Sequence, residues 1–531
     1  MKRLIPFSWM LGCACCVSAQ PTFEKYYESG ASYTFDLAEQ GSHNLFVAMG
    51  GAVIVDPEGN VIHNNYYWGD SILNLRSLKR YSDNEFYFVT GYEGDSCSAI
   101  GSATLPYLHP VIGRMDSLGN VLALNRYQLN AASCGGLAVG VNSSTNKSVI
   151  AWGGGGPFFA LKADSTGAPV WAKQIFRHGA FEFIKELPGG DLLAGITMDT
   201  AGAVVARMDA NGVLLWCKSY IRPRGIMHDA VIESDSSFII TGYTDSTTLN
   251  PFTPLPSSYH PKLFMLKLNG TGDVQWCRGY DNDPYRWYSP KWSRIKRTED
   301  SSYVVLTTIG AHENNQNFNF FYRPFLMKTD QNGDTIWTRS AGVNGYMYLV
   351  QDLLISSDGG VLFDGTVWGD FPGGTSASYI FKADALGHLP CSEAQPPTIS
   401  VSDLFPVDSS FTLSSVDGAT VESTFVIDTV YGTIPVYDGC TITTVVQPVE
   451  SRKLKVYPNP NGGHFTVQFS DPLVAESYYS VYDVMGRLLY QRPLPTGATA
   501  EEIDLSRFGK GTYVIKLTDP DGVCHERVVL E

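Results

Sequence analysis

From Ala52 onward, short apolar runs alternate with polar turns in a frame that keeps returning. Each copy reads apolar run, D-x-x-G (N-x-x-G once), apolar run. The copies are Asp56–Gly59, Asp116–Gly119, Asp164–Gly167, Asp209–Gly212, Asn269–Gly272, Asp330–Gly333 and Asp384–Gly387. Seven copies at intervals of 45 to 61 residues fit the period of a propeller blade rather than a helical solenoid. A second polar turn and apolar run precede each copy, as in D-N-E-F-Y-F-V-T-G (83–91), D-S-S-F-I-I-T-G (235–242) and D-G-G-V-L-F-D-G (358–365). One more β-type run comes before that, as in F-E-F-I-K-E-L (181–187). Every unit is therefore predicted to be a four-stranded meander, and the chain to be all-β with seven blades.

Trp171, Trp216, Trp276 and Trp337 each fall seven residues after the Asp or Asn of their copy. They are expected to dock blade on blade. The last unit runs out after Gly387 without a normal fourth strand, while the segment P-T-F-E-K-Y-Y (21–27) aligns with V-Q-W-C-R-G-Y (274–280). Phe23 takes the Trp place, Lys25 the Arg place and Tyr27 the Tyr place. Strand 21–28 is thus predicted to complete the last blade, making residues 20–391 one closed propeller without open sheet edges. D-Q-N-G-D (330–334) also suggests a calcium loop, but the residue after Gly varies among Asn, Ala, Val, Asp and His across the copies. What persists meets the needs of a tight turn whose last residue takes positive φ. No metal site is predicted.

The D…G…W frame resembles the Trp-docking propellers of the quinoprotein type. The Asp-to-Gly spacing here is one residue shorter, and no adjacent Cys-Cys pair lies beyond the leader described below. The resemblance implies the fold and not the pyrroloquinoline cofactor, so no cofactor is expected.

Residues 454–531 change character. K-V-Y-P-N-P-N-G-G-H-F-T-V-Q-F (455–469), Y-S-V-Y-D-V-M-G-R-L-L-Y (479–490) and I-D-L-S-R-F-G-K-G-T-Y-V-I-K-L (503–517) alternate as half-buried strands of a small β-sandwich. Tyr457-Pro458-Asn459-Pro460, Gly486-Arg487, and Gly511 with Tyr513 stand in order. These motifs resemble the type A sorting domain of the type IX secretion system of Bacteroidota. The resemblance implies the type IX machinery as partner of residues 454–531, export through the outer membrane, then removal of the domain with release or surface attachment. Residues 392–453 read as a partly ordered connector with short strands, S-T-F-V-I-D-T-V-Y (423–431) being one candidate.

The N-terminus M-K-R-L-I-P-F-S-W-M-L-G-C-A-C-C-V-S-A-Q has a basic start, an apolar stretch and a small-residue exit, so 1–19 is expected to be a signal peptide. No later run is long enough to span a membrane. Export permits disulfides. Of the seven cysteines beyond the leader, Cys391 and Cys440 bracket a segment without the repeat and are the first candidate pair. Cys217 and Cys277 hold equivalent places in successive units, too far apart to bridge. The formal charge of −15 argues against nucleic acid, which needs a basic face.

In such meanders the long insertions, 92–110, 243–262, 278–291 and 310–324, converge on one face, where grafted sites are expected. Tyr285, Arg286, Trp287, Tyr288, Trp292, Phe320 and Tyr322 are aromatic and polar candidates there for a glycan or protein ligand. His178, Arg224 and His228, near the starts of first strands, are candidates for a cationic mouth suited to an acidic sugar. No metalloprotease, nucleophile-elbow, phosphate-loop or zinc pattern occurs, so no catalytic residue is singled out. The reading is a secreted or cell-surface propeller that binds a glycan or protein without chemistry of its own. Its alternatives are a propeller-type polysaccharide hydrolase or lyase and a structural adhesion or surface-layer component.

Overall fold

The computed structural model describes residues 21–440 and 454–531, less short internal stretches. The longer of these are 29–35, 69–74, 99–103, 130–136, 144–147, 221–224, 245–261, 282–285, 288–292, 313–319 and 484–487. The signal-peptide reading lies outside the described residues. The structure is all-β, with strands and no helix among the described residues. It divides into two compact units, Met1–Ile442 and Thr443–Glu531.

Among the described residues the first unit holds six four-stranded antiparallel meanders and one of three strands, Leu137–Ser143, Val149–Ala163 and Pro169–Glu186. Ile226–Ile232, Phe238–Tyr243, Leu263–Leu268 and Val274–Asp281 pair in chain order and form one of them. Two consecutive meanders share a sheet, because the strand Pro169–Glu186 ends one and begins the next. The strand Phe23–Tyr27 pairs antiparallel with Gly374–Ala383, so the fourth strand of the last meander comes from the other end of the chain. Alternation explains the cores. Inward residues such as Phe238, Ile240, Phe264 and Leu266 are fully buried between neighbouring sheets, together with Phe183 and Val205 of the sheet before.

All seven D-x-x-G glycines have φ between 76° and 89°, the left-handed region glycine enters at no steric cost. The Asp carboxylate accepts backbone N–H groups of the same turn: Asp56 Oδ1 takes those of Glu58 (3.0 Å) and Asn60 (2.7 Å). The acid is thus committed to holding the turn. Each glycine also lies against the preceding meander. A Cβ on Gly212 would come within 2.9 Å of the Trp171 ring, one on Gly272 within 2.8 Å of Trp216, and one on Gly387 within 2.7 Å of Trp337. Phe23 stands in the same relation to Gly59, and Trp276 to Gly333. The four tryptophans are half-buried, while Phe23 is buried. Four residues beyond that aromatic place, a tyrosine hydroxyl donates to the next glycine's carbonyl: Tyr27 to Gly59, Tyr220 to Gly272 and Tyr280 to Gly333, each 2.6 Å.

Within 392–440, the described short strands pair with the sheets of the first unit. Glu393–Ala394, Ser400–Asp403, Ser409–Ser410, Val416–Asp417, Ala419–Phe425, Asp428–Tyr431 and Val436–Asp438 each add an outer strand to one meander. They take the meanders in reverse chain order and finish on Phe23–Tyr27. Ion pairs hold this belt at an equivalent place on five fourth strands. Lys25 reaches Asp438 (2.8 Å), Lys173 reaches Asp417 (2.7 Å), Lys218 reaches Asp408 (3.2 Å), Arg278 pairs with Asp403, and Arg339 reaches Glu393 (3.4 Å). A Cys391–Cys440 disulfide, with Cα atoms 5.2 Å apart, ties the belt's beginning to its end. Glu24 sits at this clasp. Its carboxylate accepts the N–H groups of Cys391 (2.9 Å) and Ser392 (2.7 Å), and its carbonyl accepts that of Gly439 (2.7 Å). Cys217 and Cys277 are buried free thiols, pushed up to about 12 by burial.

The second unit has a three-stranded and a four-stranded sheet around its own core, which includes Phe465, Val481, Ile515 and Val528. Tyr457–Pro458 and Asn459–Pro460 are cis. Asn459 fastens this segment to the last strand, donating to the Arg527 carbonyl and accepting from Val529 N–H (both 2.8 Å). Tyr513 is buried, and its hydroxyl donates to the Gly509 carbonyl (2.6 Å). Gly486 and Arg487 lie outside the described residues.

Candidate functional site

The first strand of every meander reaches one cavity of about 210 Å³. Asp36 borders it from just before Leu37–Glu39, Lys79 from Ser77–Arg80 and Asn142 from Leu137–Ser143. Glu182 and Lys185 come from Pro169–Glu186, and His228 and Asp229 from Ile226–Ile232. Arg294 and Lys296 come from Arg294–Arg297, and Asp352 from Met347–Ile355. Trp152 adds an aromatic wall.

Two of the acids are tightly held. Asp229 Oδ1 accepts from Lys185 Nζ (2.6 Å) and Ala230 N–H (2.9 Å), and its Oδ2 accepts from Ile295 N–H (3.1 Å). Asp36 Oδ2 accepts from the Ser77 hydroxyl (2.6 Å) and Leu78 N–H (3.1 Å). Leu37 N–H lies 3.1 Å from both Asp36 Oδ1 and Asp352 Oδ2, joining the two acids. The other ion pairs are looser: Lys79 to Asp36 and Arg294 to Asp352 are each 3.7 Å. Ser293 N–H points at His228 Nδ1 (3.2 Å), so that nitrogen accepts and the neutral ring carries its proton on Nε2.

These surroundings split the four carboxyls. Burial, with the nearby Asp352 charge, pushes Asp36 up to about 7 against the pull of Lys79. Burial likewise pushes Glu182 up to about 7, with Arg294 opposing. Asp229 is also buried, yet Lys185, Lys296 and Arg294 hold it well below the usual carboxylate range. Lys296, Asp36, Lys79 and Arg294 outweigh burial at Asp352 and bring it to about 2. The cavity thus keeps two fixed anions and two acids that exchange protons near neutrality.

Of the candidates read from the sequence whose side chains are described, His228 lies on this cavity and Tyr322 does not. Tyr322 is 3% exposed and part of the sheet, because the expected 310–324 loop is largely an extended hairpin pairing Tyr303–His312 with Phe320–Thr329. The 92–110 insertion is likewise a hairpin of Glu85–Ser98 and Thr104–Asp116. Arg224, Tyr285, Tyr288 and Trp292 lie outside the described residues, as do the side chains of His178, Arg286, Trp287 and Phe320. The eight charged residues of the cavity other than His228 were not singled out by sequence reasoning. Their signal is a charge inside or just before most first strands, as in S-L-K-R (77–80), I-M-H-D-A-V-I (226–232) and R-I-K-R (294–297). Among the described residues no group of three or more His, Cys, Asp or Glu side chains could hold a metal ion.

Residues 455–531 match the family described as Secretion system C-terminal sorting domain. That domain marks proteins exported through the type IX system, so the chain passes the outer membrane and is secreted or held at the cell surface, with the type IX machinery as its partner. Among the described residues no helix is long and apolar enough to cross a membrane. No curated protein matches the chain. A similar solved structure is the "Crystal structure of polysaccharide lyase Uly1", 10% identical with a TM-score of 0.31, covering 68% of this chain and 99% of that one.

Proposed function

We propose that the first unit is a closed seven-bladed propeller that works outside the cell as a non-catalytic binding module for a glycan or protein. In this reading the leader 1–19 is removed, strand 21–28 completes the last blade, and the four tryptophans and Phe23 dock neighbouring blades. The observation that carries it is the convergence of seven first strands on one cavity, as the inner strands of a closed propeller would converge. Binding is favoured because Asp229, kept ionised, is anchored by Lys185 and two backbone N–H donors. Such groups hold charge still rather than pass protons along.

A second reading has its own support. Asp36 and Glu182, both near 7, have the proton affinity general acid–base catalysis needs, which fits a polysaccharide hydrolase or lyase. The exported chain on a glycan array, followed by assay against a polysaccharide library, separates the two. The expected outcome is saturable binding with no new reducing ends or unsaturated products. Product release that Asp36→Asn or Glu182→Gln abolishes would establish the enzyme instead.

A further inference from the structure

We infer that the cavity is an anion site for a sugar acid, taking the carboxylate of one ring on Lys79, Arg294 and Lys296. This rests on the binding reading above and names its ligand class. Arg294 and Lys296 are two residues apart on one strand and so point to the same side of their sheet, toward the cavity they share with Lys79.

The three cations differ from Lys185. Lys185 is spent on Asp229 at 2.6 Å. Lys79 and Arg294 have only their 3.7 Å contacts, and neither donates a hydrogen bond to the described chain. Lys296 makes neither ion pair nor hydrogen bond among the described residues. The side chains of Lys79 and Arg294 keep 36% and 23% of their exposure, and both residues line the cavity. A guanidinium beside two ammonium groups matches a carboxylate, which accepts a forked pair from arginine.

Charge and size narrow the ligand further. With Asp36 and Glu182 protonated, four cations face only Asp229 and Asp352, leaving a surplus of positive charge. With both ionised, the cavity is balanced. A singly charged acid suits that range better than a phosphate dianion, which Asp229 and Asp352 would repel. A volume of about 210 Å³ is under the roughly 300–1,000 Å³ of sites for drug-sized ligands, which points to a single ring. Trp152 offers that ring a face, and Ser77, Asn142 and His228 offer its hydroxyls partners.

The test is calorimetric titration of the full chain with glucuronate and galacturonate at pH 6 and pH 8. Glucose and galactose serve as neutral counterparts, and acetate as a bare carboxylate. Saturable binding of a sugar acid at pH 6, weaker by several-fold at pH 8, is expected, with none for the neutral sugars or acetate. Lys296→Met and Arg294→Gln should each weaken it at least about tenfold, the loss of one charged hydrogen bond. Melting curves of both variants check folding, since Lys296 makes no ion pair or hydrogen bond among the described residues yet helps keep Asp229 and Asp352 ionised. Glu182→Gln should keep binding at pH 6 and lessen the drop at pH 8. Equal binding of neutral sugars, saturation by acetate alone, or unchanged affinity in both cation variants would overturn the assignment. If array glycans bind and sugar acids do not, the ligand class fails while the binding reading stands. If no glycan of either kind binds, the assignment fails and the binding reading keeps only its protein arm.

Discussion

Gly272 does two jobs at once. Its φ of 79° is left-handed, and a Cβ there would meet Trp216 and the Tyr220 hydroxyl at 2.8 Å. Gly190 has a similar φ of 87°, but its nearest neighbour would be 4.0 Å away. The pair separates backbone strain from close approach. Gly190→Ala should cost about 1–2 kcal/mol, the penalty of the left-handed region alone. Gly272→Ala should cost about 1–3 kcal/mol more, because the ring of the preceding meander must move. Thermal melts of the first unit measure both, and equal losses would mean the Trp216 contact carries no weight. The D-x-x-G turns were legible in the sequence because few residues besides glycine enter that φ range, so the need shows as a letter. The tyrosine that follows Phe23, Trp216 and Trp276 was half legible: the alignment of Tyr27 with Tyr280 was visible, its carbonyl partner was not.

The belt was not legible as a belt. Its strands are two to seven residues long, too short for an alternating pattern, and Ser400–Asp403 is exposed along its whole length. Such segments are strands only because a sheet edge waits for them. The same holds for Phe23–Tyr27, lodged between Gly374–Ala383 and Val436–Asp438. Closing a loop with a sequence separation of 49 should stabilise the first unit by about 4 kcal/mol on chain-entropy grounds. Cys391→Ser with Cys440→Ser should therefore lower its melting temperature, and deletion of residues 21–28 should lower it sharply. Because Glu24 bonds both ends of the belt, the two changes together should cost less than their sum. Calorimetry of the single and combined variants decides this, and strict additivity would mean that strand and clasp act independently.

At the scale of the whole molecule, the charges of the cavity were hidden by distance. Asp36, Lys79, Glu182, Asp229, Lys296 and Asp352 lie on six different strands or their approaches, and each reads locally as an ordinary surface charge in a strand. Only the meeting of their strands at one cavity brings them together. Their pooled effect on stability can be signed. Asp36 and Glu182 titrate near 7 when folded and near 4 when unfolded, so the stability they confer is complete below about pH 4 and is lost as pH rises through 7. Asp229 and Asp352 act oppositely, and their contribution is lost as pH falls below about 4 toward their folded values. The first unit should melt highest near pH 5 and lower at pH 8, and Glu182→Gln should flatten that fall. The sorting unit, with its separate core, supplies a second calorimetric transition as internal reference. A melting temperature of the first unit that climbs from pH 5 to pH 8 would contradict the cavity electrostatics.

The belt also bears on life outside the cell. Without it, each meander would present a full-length outer strand with a row of unsatisfied N–H and C=O groups, a template on which another chain could grow. With it, the outermost backbone is a string of short, interrupted segments carrying Glu393, Asp403, Asp408, Asp417 and Asp438. Dressed this way, the outer rim offers a second copy of the chain little continuous backbone edge to pair with.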